Sequence, residues 1–188
     1  DHDHHWTIAA RTAALARGFA PQATASHPHL RALAERTGLA ASLVACEGDE
    51  AVYLHRAIPR SFTLVPTIRI GSRAPLYCTA VGKTFLARRS PADQAAYAKA
   101  TRLQALTPMT ITDPAHLLRE IDAVAHQGWA CDDEECERGV RCLAVAIPGE
   151  AGSTALAVSL SGPAIHVAAK PTRSQLNALR EAAQAIAG

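Results

Sequence analysis

The sequence predicts an α+β domain with helices packed on an antiparallel sheet. Two β-rich runs, Leu39–Ala45 and Ala51–Ala57, flank a Gly48-Asp49-Glu50 turn, the pattern of a hairpin. A helical block follows from Thr79 to Gly128. Strand-like segments then return at Trp129–Asp132, Cys142–Pro148 and Thr154–Ser161, before a terminal helix. Strands grouped on either side of a helical block argue for hairpin pairing rather than for alternating parallel crossovers.

Each element has its own local cause. Trp6–Arg17 is Ala-rich and helix-compatible, and Gly18 is placed to end it. In His29–Thr37 the apolar residues Leu30, Leu33 and Ala34 share a helix face, and Gly38 is the stop. Phe62–Ile70 is β-rich, although Pro66 restricts it to an edge strand or a break. Thr79 is the expected N-cap of a helix running through Thr-Ala-Val-Gly-Lys-Thr-Phe-Leu. Pro91–Ala100 is a further short helix. Asp113-Pro114 combines an N-cap with proline at the first helical position, and Gly128 terminates that helix. Its apolar face holds Leu117, Leu118, Ile121, Val124 and Ala125. Thr172–Ala187 is amphipathic through Leu176, Leu179, Ala183 and Ile186.

Composition narrows the function. The 188 residues are 48% apolar but only 4% aromatic, so the core is built from many small side chains. A net charge of +2 leaves little free positive charge for phosphates, and this chain alone is expected to bind DNA poorly. No apolar run approaches the roughly 18–20 residues of a membrane span, and no signal pattern opens the chain, so a cytoplasmic protein is expected. Five cysteines at scattered positions read as reduced thiols. His2, His4 and His5 read as an exposed terminus.

Several motifs invite chemistry and fail on inspection. Gly82-Lys83-Thr84 ends like a phosphate-binding loop, but the first glycine of that motif would fall at 77, where Tyr77 stands. Lys83 is then either turned to an anion or solvated. Cys131, Cys136 and Cys142 lack the tight pair of structural zinc sites, so no metal and no cofactor are predicted. Cys142 has Arg138 and Arg141 nearby, but no histidine placed to make it a nucleophile. Ser159 and Ser161 lie two apart on a strand and share a face, where two hydroxyls suit a carboxylate. A helix beginning at Thr79 offers free N–H groups to the same kind of ligand.

The ordered series of motifs has a family likeness. Gly71-Ser-Arg-Ala-Pro-Leu-Tyr-Cys-Thr-Ala-Val-Gly-Lys, Ile111-Thr-Asp before a leucine-bearing helix, Gly128-Trp-Ala-Cys-Asp-Asp-Glu-Glu, Gly139-Val-Arg-Cys-Leu-Ala-Val-Ala-Ile-Pro and Ser159-Leu-Ser-Gly-Pro occur in that order. The series resembles the effector-binding domain of IclR-family bacterial transcriptional regulators, over roughly residues 26–188. The resemblance implies a GAF-like or profilin-like domain that senses a small metabolite, commonly a carboxylate or aromatic acid. It also implies a homodimer or tetramer, and operator DNA bound only through an N-terminal winged helix-turn-helix that is missing from this chain. Residues 1–25 are then the linker arm and helix leading from that module.

Carried onto this chain, the family's pocket falls on Ala80, Val81, Asp132, Cys142, Ser159 and Ser161. Ala80 and Val81 stand where the family often has glycine, which reshapes the pocket mouth and leaves the effector's identity open. Tyr77 and Trp129 are the nearest aromatic candidates, with core packing the expected role of Trp129. Sensing rather than catalysis is expected. The alternatives are a small cytosolic enzyme using Cys142 and Asp132, and a degenerate regulator whose pocket is filled by side chains such as Val81 and Tyr77.

Overall fold

A computed structural model describes residues 27–60, 68–149 and 155–187. The arm over 1–25, including the predicted helix at Trp6–Arg17, and most of the Phe62–Ile70 run lie outside these residues. In chain order the elements are α1 (27–37), β1 (Ala40–Glu47), β2 (Glu50–Ala57), β3 (Arg73–Pro75), α2 (Ala80–Leu86), α3 (Pro91–Ala100), α4 (Pro114–Gln127), β4 (Ala130–Asp133), β5 (Val140–Ala146), β6 (Leu156–Pro163) and α5 (Arg173–Ala187).

The strands form one antiparallel sheet in the order β3-β2-β1-β6-β5-β4, so the first and second strand groups meet where β1 pairs with β6. Period-two alternation then gives the sheet two apolar faces. One face packs against α2, α3 and α4 through Phe85, Leu86, Tyr97, Leu117, Ile121 and Val124. The other packs against α1 and α5 through Leu30, Leu33, Leu179 and Ala183, facing Leu43, Leu143, Val158 and Leu160. The chain is therefore a three-layer α+β domain, as expected. Residues 68–70 are not strand, and β3 lies further on at Arg73–Pro75.

Helix boundaries follow the caps. Thr79 Oγ1 accepts from the Gly82 N–H at 3.2 Å and caps α2. Asp113 caps α4 through the His116 N–H at 2.6 Å, and Gly128 closes it with φ 75°. Gly82 has a different duty: a methyl group there would collide with the backbone of Leu76. Its missing side chain lets α2 press onto the segment leading from β3, which brings the start of α2 over the sheet.

Candidate functional site

Pairing register builds the site. Ala40 lies opposite Ser161, Ser161 opposite Cys142, and Cys142 opposite Asp132, so one row of residues crosses β1, β6, β5 and β4. The next row places Ser42 opposite Ser159, and Ser42 is also opposite Arg56 on β2. Residues directly opposite one another share a face. Here that face is the one covered by α2.

Between the rows and the first turn of α2 is a cavity of about 410 Å³. Ala80, Val81, Asp132, Cys142, Ser159 and Ser161 all line it, so the six positions named from the resemblance are brought together. Tyr53, Ile68, Arg73, Thr79, Cys136 and Val140 complete much of the wall. Among the described residues Tyr53 is the aromatic one of the lining; Tyr77 instead donates its hydroxyl to Gln104 O at 2.9 Å, and Trp129 packs on the opposite face of the sheet.

The two ends of the cavity differ chemically. At one end Ser161 Oγ accepts from Arg56 Nη2 at 3.2 Å; Arg56 is not itself a lining residue, and its Nη1 donates to Ile68 O at 3.5 Å. Both acceptors are neutral. Arg56 Nε and Ser42 Oγ are buried without partners among the described residues. Partial burial lowers the Arg56 pKa. An anion here would meet the Ser159 and Ser161 hydroxyls, the latter held by the Arg56 guanidinium. Because Thr79 takes only the Gly82 N–H, the Ala80 and Val81 N–H groups precede the first intrahelical bond.

At the other end Asp132 is 3% exposed. Its Oδ1 accepts from the Glu135 N–H at 2.8 Å and the Cys136 N–H at 3.2 Å. Burial and the Glu135 charge push its pKa up to about 7, against the opposing pull of those two bonds and of Lys83. Cys142 beside it is driven well above the usual thiol range by burial and by Asp132.

Lys83 neither faces an anion in the cavity nor reaches solvent. It is 1% exposed, with Nζ at 2.6 Å from Glu135 Oε1 and 3.3 Å from Glu120 Oε1. Burial works against its charge, but the two carboxylates more than offset that, so its pKa is raised. Arg141 is committed as well, to Asp133 at 2.6 Å and to the Ala164 and Val167 carbonyls, and Arg138 is exposed. Neither lines the cavity. Among the described residues no cluster of three or more His, Cys, Asp or Glu side chains is arranged for a metal ion.

Arg56, bonded to Ser161 of the cavity wall, is a neighbour of the site that reading the sequence missed. Strict alternation puts it on the face opposite Tyr53. A bulge reverses this: Leu43 pairs with His55 but Val44 with Tyr53, leaving Leu54 as the extra residue. The bulge turns Arg56 to the cavity side. No local signal in Ala51–Ala57 marks it.

The model of the bacterial transcriptional regulator IclR C-terminal family matches residues 21–188. The chain belongs to the IclR family. The HTH-type transcriptional regulator BhcR of Paracoccus denitrificans is 34% identical over 161 residues, 86% of this chain and 57% of BhcR. The chain spans little more than half the length of the curated relatives it matches. Among solved structures, the Thermotoga maritima IclR superposes with a TM-score of 0.84 at 31% identity, covering 97% of this chain and 73% of that one. The inducer-binding domain of PobR from Acinetobacter, a double mutant in complex with 3-hydroxybenzoic acid, superposes with a TM-score of 0.79 at 27% identity, covering 88% and 97%. This IclR C-terminal domain thus has relatives that are named transcriptional regulators. No helix among its described residues is long and apolar enough to cross a membrane.

Proposed function

We propose that this IclR domain is the effector sensor of a transcriptional regulator and that its effector is a small organic acid with a second polar group. The carboxylate takes the Arg56–Ser159–Ser161 end, and a hydroxyl or second oxygen takes Asp132. The observation that carries this is the pair of hydroxyls on one cavity wall, Ser159 and Ser161, with the Arg56 guanidinium bonded to Ser161. Hydroxyl donors beside a cation suit a carboxylate. About 410 Å³ is within the range of small-molecule sites, so Val81 and Tyr77 do not fill the space as a degenerate pocket requires. The hydroxybenzoate in PobR supports an acid of this type.

Binding rather than turnover fits the thiol. A nucleophilic cysteine needs a low pKa and a neighbouring base. Cys142 is pushed the other way, and among the described residues no histidine lines the cavity. An effector spanning the start of α2 and the β5–β6 rows would favour one arrangement of a dimer or tetramer over another, and so set the spacing of N-terminal operator-binding modules, reached through an arm over 1–25.

The test is a thermal-shift panel of 2-oxo acids, short diacids and hydroxybenzoates on wild type and on Ser159→Ala/Ser161→Ala. Ligand at about 100 times its Kd adds roughly 2.7 kcal/mol. The expected result is a shift with one class of acid that the double variant loses. A flat panel overturns the proposal.

A further inference from the structure

A buried ion pair that the effector reading does not use connects two walls of the cavity. Lys83 belongs to α2, whose residues Ala80 and Val81 line the cavity, and its own N–H bonds Thr79 O at 2.9 Å. Its side chain is not part of the lining; Nζ reaches Glu135 Oε1 at 2.6 Å. Glu135, itself buried, passes the connection on, because its N–H donates to Asp132 Oδ1 at 2.8 Å. The Cys136 N–H joins the same oxygen at 3.2 Å, and Asp132 lines the cavity from the sheet. Every link from the first turn of α2 to Asp132 is thus a covalent bond or a hydrogen bond. Thr107 and Thr110 hold the Glu134 and Glu135 carbonyls at 2.7 and 2.6 Å from the segment between α3 and α4. Lys83 adds a tether from α2 itself. Glu120 Oε1, at 3.3 Å, is its looser partner and lines no cavity wall.

Stability gives a poor account of this pair. Desolvating two charges costs about what their attraction returns, and apolar residues of similar volume commonly do as well. Glu135 Oε2 is moreover buried without a partner among the described residues, so the pair is only partly satisfied. What an ion pair adds over an apolar contact is direction and reach: Nζ and Oε1 meet at one separation, whereas methylenes pack at many. We propose that Lys83 is a positioning residue of the effector cavity, acting through Glu135 to hold Asp132 at a fixed reach from the first turn of α2. An effector bridging the two walls then finds their separation already set, which spares it the cost of ordering them. That consequence rests on the effector reading; the pinning of Asp132 does not.

The experiment separates reach from charge. Glu135→Gln keeps the length of the side chain and an acceptor oxygen for Lys83, whereas Glu135→Asp keeps the charge and is one methylene short. Lys83→Met/Glu135→Leu removes the pair and leaves no buried charge behind. Amide hydrogen exchange is followed by NMR in the ligand-free proteins at Glu135 and Cys136, with Gly128, bonded to Val124 O, as the reference for global opening. Pyruvate, succinate and 3-hydroxybenzoate are then titrated calorimetrically, with melting curves to establish folding. In Glu135→Asp and in the apolar double variant, exchange at Glu135 and Cys136 is expected to rise about tenfold or more relative to Gly128. Affinity for the acid that binds wild type is expected to fall about tenfold in both, and no more than about threefold in Glu135→Gln. Wild-type exchange and affinity in a folded Glu135→Asp or double variant overturns the proposal. So does Glu135→Gln as weak as Glu135→Asp, because charge rather than reach would then matter. If one of the two disruptive variants unfolds, the other carries the comparison; unfolding of both makes the pair a requirement of the fold and overturns its positioning role. If none of the three acids binds wild type, the effector reading fails, while the exchange rates still decide whether Lys83 pins Asp132.

Discussion

Arg56 on β2 and Ser161 on β6 meet across β1, with Nη2 at 3.2 Å from Oγ. The contact exists because Leu54 is bulged out of the β1–β2 ladder, which returns Arg56 to the face that Ser159 and Ser161 share. The guanidinium therefore bonds a residue of the cavity wall, although Arg56 is not itself part of the lining.

Removing that charge should cost affinity for acids more than it costs folding. Arg56→Gln is expected to weaken acid binding roughly tenfold to a hundredfold, as loss of a charged hydrogen bond of about 1.5–3 kcal/mol implies. Calorimetric titration checks this. Arg56→Lys should recover only part, because a lysine cannot serve Ser161 and a carboxylate in one plane.

Asp132 sets a pH dependence whose sign is fixed by its raised pKa. In the folded domain it gains its proton at about pH 7, whereas in the unfolded chain it does so near the ordinary carboxylate value. Between those values the folded state holds the extra proton, so stability falls as pH rises through this window and levels off above about pH 7. Asp132→Asn keeps an oxygen for the Glu135 and Cys136 N–H groups and should flatten that slope in melting curves from pH 5 to 8. In wild type, an ionised Asp132 repels a second carboxylate. Affinity for a dicarboxylic acid should therefore be weaker at pH 8 than at pH 6.

Gly82 tests how tightly α2 is seated. Gly82→Ala drives a methyl into the Leu76 backbone, and neither α2 nor the β3–α2 segment can yield without moving the cavity wall. Destabilisation of about 2 kcal/mol or more is expected, lowering Tm by roughly 4–8 °C for a domain of this size.

The buried ion pair gives a double-variant test. Lys83→Met leaves Glu135 buried and unpaired, at a cost of about 3–5 kcal/mol in urea unfolding. Lys83→Met/Glu135→Leu should recover most of it, since Glu120 is partly solvated.

What the sequence disclosed divides along local and non-local causes. Helix α4 was legible to within a residue or two because Asp113, Pro114 and Gly128 act on their own neighbours. The β1–β2 hairpin was legible from its Gly48-Asp49-Glu50 turn, but its bulge was not, because Leu54 yields to the packing of Tyr53 and Ala57 on opposite sheet faces. Lys83 looked free because its partner Glu135 is 52 residues away. Gly82-Lys83 resembled a phosphate loop, yet the glycine is there for the Leu76 backbone and the lysine for a buried glutamate. The six site positions came from the family resemblance, not from composition or spacing, which alone stopped at a possible anion pocket.

Calorimetric titration of the acid with the largest thermal shift, into wild type and into Ser159→Ala/Ser161→Ala, tests the serine-held anion site. One site per chain is expected in wild type, with affinity at least tenfold weaker in the double variant. Equal affinity in both proteins would contradict it, because the acid would then be held elsewhere.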